Sequence, residues 1–348
     1  MAQAKRAPSQ NNLRKFRDEL ESGNFHNLYV FYGEERYLLE YYLGELRKKT
    51  VAEGMEDFNY FAFDGGSVDM DELGDAVEAL PAFSERKLVV VTDLDLYKPG
   101  ADRKEKLEAL VADIPEYTVL VFVYDTVEYK TDARAKIHKL LGEHALVVEF
   151  LLQGDSELVG WLRRRFRALG KDIDMQTAEH MLFVCGRSMT LLVNEVEKVA
   201  AYASLDRITE SDIDASCAPI ADAVVFNLAD AVAAGKYAQA LELERDLVSM
   251  RNDPVYLVGV LSRQMRQLLY GRIALDSRRG QDWFMRVADT PNPYAARRQL
   301  DLARRVSTKW SRAAMKLCVE CDYELKTSAA DRSALLETLL LRIAALDK

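Results

Sequence analysis

Two unbroken apolar runs, Lys87-Leu-Val-Val-Val-Thr92 and Thr118-Val-Leu-Val-Phe-Val-Tyr124, constrain the fold of this 348-residue chain more than any other feature. A strand on a half-exposed sheet alternates apolar and polar residues. One that is apolar throughout needs cover on both faces, as in a parallel sheet between layers of helices. Leu28–Tyr32, Phe58–Phe63 and Ala145–Phe150 read as further strands. Helical patterns lie between them. In Glu34 to Val51 the apolar residues Leu38, Tyr42 and Leu46 recur every fourth position, and Asp69 to Leu80 and Glu105 to Ala112 follow the same logic. Ahead of these, the first ten residues read as a loose tail, and Leu13 to Leu20 as a short helix ended by Gly23. Residues 26–150 are thereby predicted to form an open α/β domain of about five strands.

Beyond residue 152 the strand signal stops. Leu158, Leu162, Phe166 and Leu169 share a helical face before Gly170, Thr177 and Ser188 are placed to cap two further helices, and Thr209 opens a short one. From Ala221 onward the pattern is helical over 223–234, 236–250, 254–275, 293–306 and 309–345. The expected organisation is an α/β domain over 1–152, a small helical domain over 153–217 and a larger helical domain over 218–348. No apolar run approaches the roughly 18–20 residues that span a bilayer, and the N-terminus lacks the apolar stretch of a secretion signal, so no membrane association and a cytoplasmic location are expected.

Candidate chemistry is sparse. Four cysteines (185, 217, 318, 321) make no disulfide framework in a chain this long. Cys318-Val-Glu-Cys321 has no second pair or nearby His, and two thiolates do not complete a zinc site. The four histidines are scattered. A phosphate-binding loop after the first strand would need glycine, lysine and a hydroxyl in the last three places of its motif. The segment Gly33-Glu-Glu-Arg-Tyr-Leu-Leu-Glu40 puts Leu38, Leu39 and Glu40 there, and three carboxylates where phosphates need positive charge. Asp93, after the third strand, is a lone acid read as a turn residue. No catalytic residue, metal or cofactor is expected.

Two features remain. In Ala79-Leu-Pro-Ala-Phe-Ser-Glu-Arg-Lys87, Pro81 ends a helix and leaves Ala82 and Phe83 on a turn. Leu80 and Phe83 either fold back on the core or protrude as anchors for a partner. The second feature is charge. The net charge of -9 excludes a protein that coats nucleic acid alone, yet residues 251–348 carry 18 Lys and Arg against 11 Asp and Glu. The pairs Arg297/Arg298 and Arg304/Arg305 lie in that basic third, as solvated or acid-paired side chains or as contacts to DNA or a partner.

Taken in order, several stretches resemble one family: Leu28-Tyr-Val-Phe-Tyr-Gly-Glu-Glu, Leu80-Pro-Ala-Phe-Ser-Glu-Arg-Lys-Leu-Val-Val-Val, Asn194-Glu-Val-Glu-Lys198, Asp253-Pro-Val-Tyr-Leu-Val, Arg263-Gln-Met-Arg-Gln-Leu-Leu269 and Cys321-Asp-Tyr-Glu-Leu-Lys-Thr327. The chain is similar to the delta subunit of the bacterial DNA polymerase III clamp loader from about residue 12 to 346. The resemblance implies an AAA+-like domain without ATP chemistry, then a helical lid and a helical collar. It implies a non-catalytic subunit of the polymerase holoenzyme that grips and opens the beta sliding clamp with a hydrophobic wedge. That wedge maps to Leu80, Pro81, Ala82 and Phe83, with Ala82 smaller than in some relatives. It further implies a collar joined to ATP-binding tau/gamma subunits and a delta-prime subunit, acting on primed DNA at the nucleoid. The other readings are a degenerate P-loop NTPase, which would bind ATP by itself, and a DNA-binding replication adaptor, which would show salt-sensitive DNA affinity.

Overall fold

The computed structural model describes residues 8–249, 252–290 and 292–346. These fall into two compact units, the first ending at Gln153 and the second beginning at Gly154.

The first unit is built on five parallel strands, β1 (Leu28–Tyr32), β2 (Tyr60–Asp64), β3 (Lys87–Thr92), β4 (Thr118–Val123) and β5 (Ala145–Glu149), ordered β2-β3-β4-β1-β5. Val30 is in register with Phe122 on one side and Val147 on the other, and Val90 with Ala62 and Val121. Helices α1 (Pro8–Ser22), α2 (Arg36–Thr50), α3 (Glu56–Asn59), α4 (Met70–Glu78), α5 (Ala101–Ala112) and α6 (Lys136–His144) connect and cover the strands. Both faces are indeed buried. Val30, Val89, Val91, Leu120 and Phe122 pack in one core with Leu73 and Val77 of α4, Leu107 of α5 and Leu141 of α6. The intervening residues Tyr29 and Phe31 point the other way, into edge-to-face contacts with Phe16 of α1 at 5.3 and 5.0 Å.

Several elements differ from the sequence expectation. Helix α1 begins at Pro8, so residues 8–10 of the predicted tail are helical, while residues 1–7 of it lie outside the described residues. Its Asn12 Nδ2 donates to the Val147 carbonyl at 2.7 Å and covers the exposed rim of β5. Phe58 and Asn59 are not strand but the short helix α3, because the buried Asn59 side chain turns to another loop; the strand starts at Tyr60. Helix α6 has no counterpart in the sequence reading, since only Ile137 and Leu141 are buried in an otherwise polar segment.

The second unit is helical throughout its described residues: α7 (Asp155–Ala168), α8 (Met175–Cys185), α9 (Met189–Tyr202), α10 (Glu210–Ser216), α11 (Ala221–Ala234), α12 (Tyr237–Ser249), α13 (Pro254–Asp276), α14 (Gln281–Val287), α15 (Pro293–Ala303), α16 (Thr308–Thr327) and α17 (Arg332–Ala344). The N-cap of α8 is Asp174, whose carboxylate accepts the Thr177 amide, rather than Thr177 itself. The expected helix 309–345 is two helices, because Asp331 caps α17 by accepting the Ser333 amide. Helix α14 has no counterpart in the sequence pattern, since it buries one large residue, Phe284. The long α13 supplies Leu261, Met265 and Leu268 to a core shared with Trp310 and Cys318 of α16 and with Leu336 and Ile343 of α17. No single helix among the described residues is long and apolar enough to cross a membrane.

Candidate functional site

The loop that joins α4 to β3 stands on a fully satisfied helix end. Asp69 caps the start of α4 by accepting the Asp71 amide at 2.7 Å. At the other end, an α-helix leaves its last carbonyls without intrahelical partners. Here each finds a side chain. Lys87 Nζ donates to Ala76 O at 2.6 Å and also to Ala79 O, Thr118 Oγ1 donates to Val77 O at 2.7 Å, and Tyr117 OH donates to Glu78 O at 2.7 Å. Lys87 is wholly buried, and burial pushes its ammonium down to about 8. The partial negative charge at a helix C-terminus is a fitting place for that cation.

Pro81 follows, and the next residue is held by the residue that precedes the neighbouring strand β2. Asn59 Oδ1 accepts the Ala82 N–H at 2.8 Å, and Asn59 Nδ2 donates to the Ala82 carbonyl at 2.8 Å. Beyond this clamp Phe83 takes φ +51°, an unusual conformation for a bulky side chain, and is 93% exposed; Leu80 is 77% exposed. The apolar side chains therefore do not fold back on the core. The local sequence left that choice open, and Asn59 and Lys87, which shape the loop, carried no recognisable signal.

The other expected positions divide. Gly33 ends β1 at φ +133°, with the Phe150 backbone packed where a side chain would begin. Leu38 and Leu39, in the places a phosphate loop gives to glycine and lysine, are buried in the core, and Glu40 is exposed. Glu35 in the same turn is buried, and burial raises its carboxyl above the ordinary value. Asp93 is a loop staple. Burial opposes its ionisation, but the Thr126 hydroxyl and the amides of Val127, Thr126 and Asp125 outweigh that and lower its pKa.

Three of the four arginines are engaged inside the second unit. Arg297 pairs with the buried Glu179 of α8. Arg298 pairs with Asp230 at 3.0 Å and lies over the Phe226 ring at 4.9 Å. Arg304 pairs with Asp301 at 2.7 Å, and it lines a shallow cleft with Arg305, Arg272, Asp276, Ser307 and Thr308. Cys318 and Cys321 are both buried in α16, their thiols pushed up by burial to about 12 and about 11. Cys185 and Cys217, far apart in sequence, come together with Glu195, their ligand atoms within 4.8 Å of one another. A hydrogen bond with Cys217, then burial, raises the Cys185 thiol.

The fold defines an α/β domain on a five-stranded parallel sheet, followed by an all-helical region. The chain belongs to the family of DNA polymerase III delta subunits: the model described as "DNA polymerase III, delta subunit" matches residues 29–151 and that of its C-terminal domain matches 222–343. A model described as a middle domain matches 155–215. The DNA polymerase III subunit delta of Bacillus subtilis is 26% identical over 330 residues, covering 93% of this chain and 94% of that protein. That of Escherichia coli is 20% identical over 241 residues, 69% of each chain. The solved structure of the Bacillus subtilis DNA clamp loader delta protein is similar at 25% identity and a TM-score of 0.52, covering 95% of this chain and 99% of that one.

Proposed function

We propose that this chain is the clamp loader subunit that binds the beta sliding clamp and opens it for loading onto primed DNA, with Leu80, Pro81, Ala82 and Phe83 as the wedge. The observation that carries the reading is Phe83. A large aromatic is 93% exposed at positive φ, on a loop whose stem is tied down by buried polar side chains. Such an anchor yields most when it is desolvated in a partner's pocket. The second unit is read as a lid over 153–217 and a collar over 218–348, the collar joining ATP-binding tau/gamma subunits and a delta-prime subunit. The chain itself neither binds nor hydrolyses ATP, a reading supported by Leu38 and Leu39 being core residues where a phosphate loop needs glycine and lysine. The site has no catalytic role: ATP acts through the neighbours.

The test is calorimetric titration of the purified sliding clamp with wild type and with the Leu80→Ala/Phe83→Ala double variant. Loss of about 2–4 kcal/mol of binding energy is expected, on the scale of hot-spot anchors. Unchanged affinity removes the wedge. Saturable ATP binding by the isolated chain overturns the nucleotide-free reading.

A further inference from the structure

We infer that Asn59 is a positioning residue that sets the docking loop in its clamp-binding conformation before any partner arrives. The inference rests on the reading of Leu80 and Phe83 as clamp anchors and adds the group that orients them.

The clamp-binding loop from Ala79 to Arg86 has no regular secondary structure of its own to fix it. What fixes its middle is one carboxamide, 23 residues earlier in the chain, bonded to both backbone groups of Ala82 at 2.8 Å. The two bonds imitate one rung of a β-ladder with a side chain in the role of the neighbouring strand. Asn59 is 0% exposed, so neither prong has water as a substitute. The chemistry is also selective. Asp lacks the donor, Leu lacks both groups, and Gln places its amide one carbon further out. Ala82 is the residue immediately before Phe83, so the clamp fixes the direction from which the chain enters the φ +51° turn. A bulky residue released from such a constraint relaxes toward the extended or helical regions, and the ring then points elsewhere.

Preorganisation of this kind acts on affinity through the fraction of molecules already competent to bind. If release of Ala82 leaves one molecule in ten with Phe83 correctly presented, apparent affinity falls about tenfold, with every contact to the partner still available. A residue of general structural importance acts differently, since its loss weakens binding whether or not Phe83 is present.

The experiment is a double-mutant cycle on the full chain, with clamp affinity measured for wild type, Asn59→Ala, Phe83→Ala and the pair. Asn59→Ala is expected to weaken binding about tenfold in the wild-type background and less than twofold when Phe83 is already Ala. Should Asn59→Ala fail to fold, Asn59→Leu is read in the same cycle, since it keeps the side-chain volume and loses both the donor and the acceptor facing Ala82. Hydrogen exchange on the free protein gives the partner-independent readout: the Ala82 amide is protected in wild type and exchanges freely in the variant. Equal losses in both backgrounds overturn the inference, as does an unprotected Ala82 amide in wild type. If Phe83→Ala weakens binding and Asn59→Ala does not, the positioning role fails and the wedge stands; if Phe83→Ala and Leu80→Ala both leave affinity unchanged, the wedge itself fails.

Discussion

Lys87 Nζ lies 2.6 Å from the carbonyl oxygen of Ala76, joining the first residue of β3 to the last turn of α4. Burial holds the Lys87 ammonium at about 8, well below the 10.5 of an exposed lysine. Between those two values the unfolded chain binds more protons at this site than the folded one, so the folded state gains stability from Lys87 as pH rises through that window. Below about pH 8 both states are protonated and the gain is absent. Denaturant midpoints of wild type and Lys87→Met at pH 7 and pH 10 check the sign. The wild-type advantage is expected to be wider at pH 10, and a constant difference contradicts the assignment.

Gly33→Ala should be costly for two separate reasons. Its φ of +133° is a region that side chains rarely adopt, and an added Cβ would fall against the Phe150 carbonyl group, within 2.7 Å of its carbon. A loss of about 2–4 kcal/mol, combining backbone strain with a displaced neighbour, is expected from urea unfolding.

Arg297 and Arg304 should separate in their effects on stability. Removing Arg297 leaves the carboxylate of Glu179, which is 6% exposed, without its cation, so Arg297→Ala is expected to lose about 2–4 kcal/mol. Arg304 and Asp301 form an exposed pair within one helical turn, and Arg304→Ala should change stability by less than about 1 kcal/mol. Thermal melts of the two variants in low and moderate salt distinguish them.

Because the thiolate is the reactive form, Cys318 at about 12 and Cys321 at about 11 are protonated at pH 8 and shielded by burial. Iodoacetamide at pH 8 should leave both unmodified in the folded protein and label both in denaturant. Rapid labelling of the native chain would show that α16 opens readily.

How far the sequence reaches depends on where the determining contacts lie. The central strands are legible because a parallel sheet buried on both faces imposes an apolar residue at every position, as Leu88 to Val91 and Val119 to Val123 show. The short helices α3, α6 and α14 are not, since they bury too few residues to leave a period. The direction of Phe83 is fixed by Asn59, and the fate of Arg297 by Glu179, 118 residues earlier. An asparagine in an aromatic-rich run reads as a weak point in a strand, and only the folded chain turns it toward Ala82. The basic excess of the last third is legible in the composition, but the partners of Arg297, Arg298 and Arg304 are set only by the folded chain.

The side-chain ties at the end of α4 also determine how the molecule bears load. The carbonyls of Ala76, Val77, Glu78 and Ala79 are bonded to Lys87, Thr118 and Tyr117, which stand at or just before the first residues of β3 and β4. A force on the tip of the loop is therefore not taken up by fraying of the last helical turn. It passes along these short bonds into two adjacent strands in the interior of the sheet, so the loop behaves as the end of a stiff lever with its fulcrum in the core.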